Sequence, residues 1–222
     1  MTTRRLDRHS RIKPTIAFFS HKMRRHLFCE GTVEQNALYA HEYDRSVIRY
    51  NTQPRSVDYR FRGRGKRRYT PDTLVERRGP EADRTVYEYE EIKSAGEAEK
   101  PEFRAKFLFL QDYFAREIGI PLLLRIGESP TNPSVLLCNQ KFFYPYLGLP
   151  LDRELLNELR GVGSRITYIN AVQWMESQRR DVRRLLTLIA HGELTFDWSQ
   201  MQLQEQTILE VSPHEQTSEV VQ

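Results

Sequence analysis

The sequence predicts a mixed α/β fold: a sheet of mainly antiparallel strands with helices on its faces, followed by a small helical unit that ends in a hairpin. Three observations carry this. Strand-like runs separated by turns rich in Gly, Pro and Asn fill residues 47–93. An amphipathic helical pattern then leads into the compact apolar run "PLLLRI" at 121–126. Beyond about residue 145, leucines return at helical spacing and two short strand-like segments follow. With 39% hydrophobic residues in 222, the chain can bury a normal core in one large domain or two small ones.

The first helix is read in "CEGTVEQNALYAHEYD", where Val33, Ala37 and Ala40 share a face with Leu38 beside them. Glu30 and Glu34 lie one turn apart on a neighbouring face. Val47-Ile48 and Val57–Phe61 read as short strands, interrupted by Asn51, Gln53 and Pro54. The two glycines of "RGRGKRR" supply a turn, "RYTPDTLVE" returns as one strand, and "RRGPEADR" turns into the third long strand, "TVYEYEEIKS". In "KPEFRAKFLFLQDYFAREIG", Phe103, Phe107, Leu110 and Phe114 form an apolar stripe. Gly119 suits the end of that helix, and the buried strand follows. Three antiparallel strands, a helix and a returning strand describe a mixed sheet flanked by helices.

"YPYLGLPLDRE" marks a domain boundary. After it, Leu155, Leu156 and Leu159 mark one helix. "QWMESQRRDVRRLLTLIAHG" reads as another, with Val182, Leu185, Leu186 and Ile189 on one face and Gly192 as its cap. "ELTFDW" and "QTILEVS" are expected to pair. Short helices followed by a hairpin give the outline of a winged helix. The expected organisation is a flexible basic arm over 1–25, a main domain over 26–147, a winged-helix-like domain over 148–210 and a disordered tail over 211–222.

Charge is unevenly spread. Residues 1–25 carry Arg4, Arg5, Arg8, Arg11, Lys13, Lys22, Arg24 and Arg25 against Asp7 alone. A second acid-free basic cluster runs from Arg60 to Arg68, whereas 205–222 hold four Glu and no Lys or Arg. This asymmetry, more than the net charge of +4, suggests a nucleic-acid-facing part. Cys29 and Cys138 have no metal-ligand spacing and are expected as reduced buried thiols. There is no long apolar run and no signal-peptide core, so a soluble cytoplasmic protein is expected, with no membrane partner.

The chemistry concentrates in "YTPDTLVE" and "VYEYEEIKS". Glu91 and Lys93 are two apart and share one strand face. Asp72 heads the preceding strand, so antiparallel pairing sets it beside Glu91. Two carboxylates held together repel unless a divalent cation lies between them. Mg2+ or Mn2+ with Lys93 alongside then makes a hydrolytic centre, and a further acid, Glu34 or Glu30, completes or steadies it. The alternative is an exposed Glu–Lys pair worth about 0–1 kcal/mol, in a chain with 29% charged residues where such spacing arises by chance. Three features favour the site: the motifs fall on consecutive strands, an acidic helix precedes them, and a basic loop lies at the far end of the hairpin. In that loop Arg62, Arg64, Lys66, Arg67 and Arg68 suit a phosphate backbone. Arg179, Arg180, Arg183 and Arg184 read equally as a phosphate- or partner-binding run and as a solvated face. His21, His26 and His41 lack partners at metal spacing and read as structural or exposed, and Trp174 and Trp198 as core.

The order "EGTVE … VIRYNTQP … YTPDTLVE … YEYEEIKS" resembles the TnsA endonuclease family over about residues 30–126, and the region from "RRLLTLIAHGELTFDWSQ" onward is similar to that family's small C-terminal domain. The resemblance implies a restriction-endonuclease-like fold with a PD-(D/E)xK site. It implies a Mg2+-dependent DNA endonuclease of bacterial cut-and-paste transposition, cleaving the 5′ ends of the transposon. Its implied partners are double-stranded transposon-end DNA, the DDE-type transposase TnsB and the AAA+ regulator TnsC. Carried over by position, Asp72 and Glu91 bind the metal, Lys93 assists the attacking water, and Glu34, in preference to Glu30, is the helical acid and third metal ligand. Gln53 is a further candidate for the edge of the site, with a plain turn before Pro54 as its other reading. Two other readings stay open: a DNA- and partner-binding subunit that has lost the activity, and a stand-alone nuclease of the same fold.

Overall fold

The computed structural model describes residues 15–61, 65–81 and 84–212. The chain divides into two compact units that meet between Asn132 and Pro133.

The first unit opens with an antiparallel hairpin of β1 (Thr15–Ser20) and β2 (Arg25–Glu30). This corrects the expected arm: residues 1–14 lie outside the described residues, but 15–25 are strand and turn. The physical reason is that the charge there is used internally. Lys22 Nζ donates to the carbonyl oxygens of His41, Asp44 and Val47 at 2.8, 2.5 and 2.9 Å. Ser20 Oγ donates to Glu42 Oε1 at 2.5 Å. Phe18, Leu27 and Cys29 face inward, and the Phe18 ring meets Tyr39 edge-on.

Helix α1 (Thr32–Tyr43) follows. Its buried residues are Glu34, Asn36, Ala37, Leu38, His41 and Glu42, while Val33 and Ala40 are only half-buried. The inward face is therefore rotated from the apolar one read in the sequence, because acids and an imidazole with partners are buried there. Glu42, for example, also accepts from Tyr50 Oη at 2.6 Å and from the His21 and Lys22 amides.

Strand β3 (Val47–Thr52) is followed by a separate two-stranded ribbon of β4 (Val57–Tyr59) and β5 (Arg67–Tyr69). β6 (Thr73–Arg78) and β7 (Thr85–Lys93) then build the main sheet. "RYTPDTLVE" is thus two strands, not one. Pro71 has no N–H to give to a ladder and biases Thr70, so the chain changes sheet at Thr70–Asp72. After a short α2 (Ala95–Ala98), α3 (Pro101–Tyr113) continues into a wide turn, Phe114–Ile118, that Gly119 ends in the left-handed region. β8 (Leu122–Ile126) returns parallel to β7, and the sheet order is β3-β6-β7-β8 with the other pairs antiparallel.

The expected stripe of α3 lies on this sheet: Phe107, Leu110 and Phe114 are buried with Tyr59, Tyr69 and Leu122, and Phe103 packs at their edge. Each such buried side chain contributes about 1.5–3 kcal/mol. On the other face α1 approaches closely at Gly127, where an added Cβ would lie 2.6 Å from Val33 Cγ1 and 3.0 Å from Ile92 Cγ2.

The second unit runs α4 (Val135–Phe143) into a tight turn at Tyr144–Gly148, then α5 (Arg153–Val162), β9 (Arg165–Thr167), α6 (Tyr168–Ser177), α7 (Arg183–Ala190), β10 (Leu194–Thr195) and β11 (Ile208–Val211). Its sheet order is β10-β11-β9, all antiparallel. The expected pairing of the last two segments is present, with β9 as a strand the sequence reading missed. The expected long helix over 173–192 is two helices, broken where Arg179 takes a left-handed φ of 54°. The unit starts earlier than the expected 147/148 boundary because α4 is tied into it. Asn139 Nδ2 donates to the Trp198 and Met201 carbonyls at 2.9 and 2.7 Å, and Phe143 stacks on Trp198. Leu155, Leu159, Met175, Leu185, Leu188 and Leu209 form its centre. Residues 213–222, most of the expected tail, lie outside the described residues, and Val211 belongs to β11. Among the described residues no helix is long and apolar enough to cross a membrane.

Candidate active site

Alternation along β7 sends Glu91 and Lys93 to the α3 side of the sheet and Glu90 and Ile92 to the α1 side. Thr73 pairs with Glu90, so Asp72, one residue earlier, comes beside Glu91. The Asp72 backbone is fixed from both sides: its N–H donates to the Glu90 carbonyl at 2.9 Å, and its own carbonyl accepts the Gln53 N–H at 2.8 Å. Gln53, an expected edge residue, adopts a positive φ of 45° to do this.

The side chains then converge. Asp72 Oδ2 accepts the Ile92 N–H at 2.6 Å and lies 3.4 Å from Lys93 Nζ. Glu91 Oε1 lies 2.7 Å from the same ammonium, while Oε2 accepts from Tyr69 Oη at 2.5 Å. Lys93 Nζ also donates to the Ile92 carbonyl at 3.0 Å. Three oxygens, from Asp72, Glu91 and Ile92, thus face one cation.

Burial, and next the charge of Glu91, push the Asp72 carboxyl up to about 6, against the pull of Lys93 and the Ile92 N–H. Burial works against the Lys93 ammonium, but Asp72 and Glu91 outweigh it and hold the group above its ordinary value. Burial, then Glu91, also drives the Tyr69 phenol far above its usual range. With both acids ionised, two carboxylates face one ammonium and one negative charge is uncompensated.

The Asp72 and Glu91 carboxylates and the Ile92 carbonyl are all hard oxygen donors, a set that fits Mg2+ or Mn2+. Among the described residues, no three His, Cys, Asp or Glu side chains gather as a metal-binding group. The expected third ligand, Glu34, therefore does not join the pair. Its Oε2 accepts the Glu30 N–H at 2.7 Å at the entrance to α1, where the helix N-terminus favours an acid. The other candidate, Glu30, accepts from Gln53 Nε2 at 3.3 Å.

Of the expected DNA-contacting residues, Arg62 and Arg64 lie outside the described residues. Lys66, Arg67 and Arg68 are exposed on the ribbon, and Asp58 faces two of them, 2.9 Å from Lys66 Nζ and 3.8 Å from Arg68 Nε. In the second unit Arg180 pairs with Glu158, Arg183 with Asp181 and Arg184 with Asp152, as on an ion-paired surface.

Sequence reasoning missed two sets of residues. Tyr69 was read only as part of a motif. On the α1 side, buried Glu90 is held by His41 Nε2 and Thr73 Oγ1, both 2.9 Å from Oε2, and by Arg125 Nε and Nη2 at 2.9 and 2.7 Å from Oε1. Arg77 stands at 3.5 Å and also pairs with Glu88 and Asp44. The available signal was a pair of acids at alternate positions of β7, Glu88 and Glu90, with arginines in both flanking strands.

Residues 44–126 match the family model described as TnsA-like endonuclease N terminal. The match spans β3 to β8 and includes Asp72, Glu91 and Lys93; α1 with Glu34 and the whole second unit lie outside it. No curated protein matches the chain.

Proposed function

We propose, from the premise that residues 44–126 are a nuclease domain of the TnsA-like endonuclease family, that this protein is the subunit of a cut-and-paste transposition machine that cleaves DNA at the transposon 5′ ends. The observation that carries the reading is the convergence of the Asp72, Glu91 and Ile92 oxygens on Lys93 Nζ.

Asp72, Glu91 and the Ile92 carbonyl would hold a divalent ion, Mg2+ or Mn2+. Such an ion supplies Lewis acidity toward a phosphoryl oxygen and lowers the proton affinity of water. The chain's own residues do the rest. The Ile92 N–H fixes the Asp72 carboxylate in place before DNA arrives. Lys93 presents its ammonium where negative charge grows as water adds to phosphorus and a P–O ester bond breaks. Lys66, Arg67 and Arg68 on the ribbon, with Arg62 and Arg64 of the same basic stretch of sequence, would contact the phosphate backbone.

The second unit supports a partner- or DNA-binding role. Its order, α5-β9-α6-α7-β10-β11 with β9 joined to β11, is what supports reading it as a winged-helix-like unit. By family analogy its partners would be the transposase TnsB and the regulator TnsC.

The test is a reconstituted reaction with the cognate transposase, regulator, Mg2+ and transposon-end DNA, mapped at nucleotide resolution. The wild type is expected to cut the 5′ end, and Asp72→Ala to leave only the 3′ cut. Equal cutting by both removes Asp72 from the site. A 3′ cut without any 5′ cut in the wild type favours a binding subunit.

A further inference from the structure

Tyr69 is the residue of this region whose chemistry has no assigned use. It ends β5, in the ribbon rather than in the main sheet, and stands three residues before Asp72. Its ring is buried against Phe114 at 5.9 Å and Tyr59 at 6.5 Å, both edge-on, with Lys106 Nζ 5.2 Å from its centroid. That packing fixes the ring, so the hydroxyl is delivered to one place. The place is Glu91 Oε2, at 2.5 Å.

The two oxygens of Glu91 therefore have separate duties. Oε2 is held by Tyr69, and Oε1 is turned to Lys93 Nζ at 2.7 Å, on the side where Asp72 Oδ2 and the Ile92 carbonyl converge. A free glutamate side chain has three rotatable bonds and would sample several orientations. A hydrogen bond from a packed phenol removes that freedom and leaves one oxygen aimed at the cation position.

Resting on the active-site reading above, we propose that Tyr69 is a positioning residue that orients the Glu91 carboxylate for divalent-ion binding. It touches neither ion nor DNA. It acts through Glu91 alone, and the break at Thr70-Pro71 allows this, because a residue of the ribbon can then reach across onto the face of β7.

The test uses the full chain and Mn2+ as probe, read by the loss of the free-ion electron paramagnetic resonance signal, with cleavage in the reconstituted reaction as second readout. Four proteins are compared with wild type: Tyr69→Phe, Glu91→Asp, their double mutant, and Asp72→Ala. Glu91→Asp shortens the side chain so that it no longer spans from Tyr69 to the ion position. Tyr69→Phe is expected to weaken Mn2+ binding about 10- to 100-fold. It should raise the Mg2+ concentration needed for cleavage in proportion, with the maximal rate recovered at saturating Mg2+. In the Glu91→Asp background the same change should cost almost nothing more, since the partner is already out of reach.

Additive losses in the double mutant would mean that Tyr69 acts through packing, and would overturn the proposal. Unchanged Mn2+ binding by Tyr69→Phe overturns it too. If Asp72→Ala binds Mn2+ as well as wild type, the active-site reading itself fails and the proposal falls with it, a result distinguishable because Tyr69→Phe alone cannot produce it. Should Tyr69→Phe melt far below wild type, all four proteins of the cycle are compared at a temperature where each is folded: a loss on Tyr69→Phe in the wild-type background that vanishes in the Glu91→Asp background supports the proposal, and no loss or an equal loss in both overturns it.

Discussion

The two faces of β7 each carry a buried carboxylate, and the chain treats them in opposite ways. On the α1 side, Glu90 is surrounded by donors: His41, Thr73 and both arms of Arg125, with Arg77 close by. On the α3 side, Glu91 and Asp72 share one ammonium. On the first face one carboxylate has several donors to itself, and on the second two carboxylates share one ammonium, although the residues are neighbours in sequence. A buried carboxylate with matched partners locks strands together. A buried pair with a surplus of negative charge is strained until a cation arrives. One face therefore reads as a fastening and the other as a site.

The largest expected effect breaks the second face without touching the first. Glu91→Gln keeps the shape and can still accept from Tyr69, but removes the surplus charge. Cleavage in the reconstituted reaction should fall about 10³-fold or more, as several kcal/mol of transition-state stabilisation are lost. The melting temperature should stay level or rise. A variant that still cuts at close to the wild-type rate would show that the surplus charge has no catalytic meaning.

The next effect is on stability. Glu90→Ala leaves Arg125 and Arg77 facing each other and His41 without its carboxylate. Breaking a buried pair in this way costs about 3–5 kcal/mol, measured by urea unfolding of the full chain. A loss below 1 kcal/mol would mean that Glu90 is not a fastening, and the contrast between the faces would lose one side.

The sequence was legible where periodicity or register decides the structure. Phe107, Leu110 and Phe114 fell on the buried face of α3 because their spacing is that of a helix. Asp72 met Glu91 because strands on either side of a short turn pair antiparallel. It was illegible where partners come from distant elements. No local pattern says that Lys22 will be spent on the carbonyls at the end of α1, so a strand and turn were read as an arm. The polar inward face of α1 was hidden for the same reason: His41 is buried only because Glu90, 49 positions away, waits for it. Tyr69 reaches Glu91 because the strand ends before Pro71, where the sequence reads as the middle of one strand.

The faces should also separate by pH. Burial alone would raise Glu90, but the His41 and Arg125 contacts overcome it and hold the carboxyl well below the usual Glu range. The folded state then binds that proton less readily than the unfolded chain does. Its contribution is present above about pH 4.3 and is lost as pH falls below it. Asp72 has the opposite sign. Raised to about 6, chiefly by burial and then by Glu91, it binds its proton more tightly when folded. Stability is thus lost as pH rises from about 3.9 toward the folded value. In EDTA, Asp72→Asn should gain on wild type across that window, and the Glu90→Ala deficit should shrink on the acid side of about pH 4.3. Thermal melts from about pH 2.5 to neutral pH measure both. A wild-type-minus-Asp72→Asn difference that does not change with pH would remove the charge-surplus account.

The smallest effect concerns what else holds Lys93. Its ammonium stands 6.0 Å from the centroid of the Phe103 ring, which is itself stacked on Phe107 at 5.5 Å. A cation–π contact at that distance is at its outer limit and contributes about 0.5 kcal/mol, against two carboxylates at 2.7 and 3.4 Å. Phe103→Leu keeps an apolar side chain at the edge of the core and removes the ring face from Lys93, together with its stacking on Phe107. Cleavage should drop about twofold, with Mn2+ binding unchanged because no ligand oxygen has moved. If the loss were tenfold or more, the ring rather than the carboxylates would be setting the position of Lys93. The α3 side of β7 would then be held by packing, as the α1 side is held by charge, and the contrast drawn from their electrostatics would have to be redrawn around the helix.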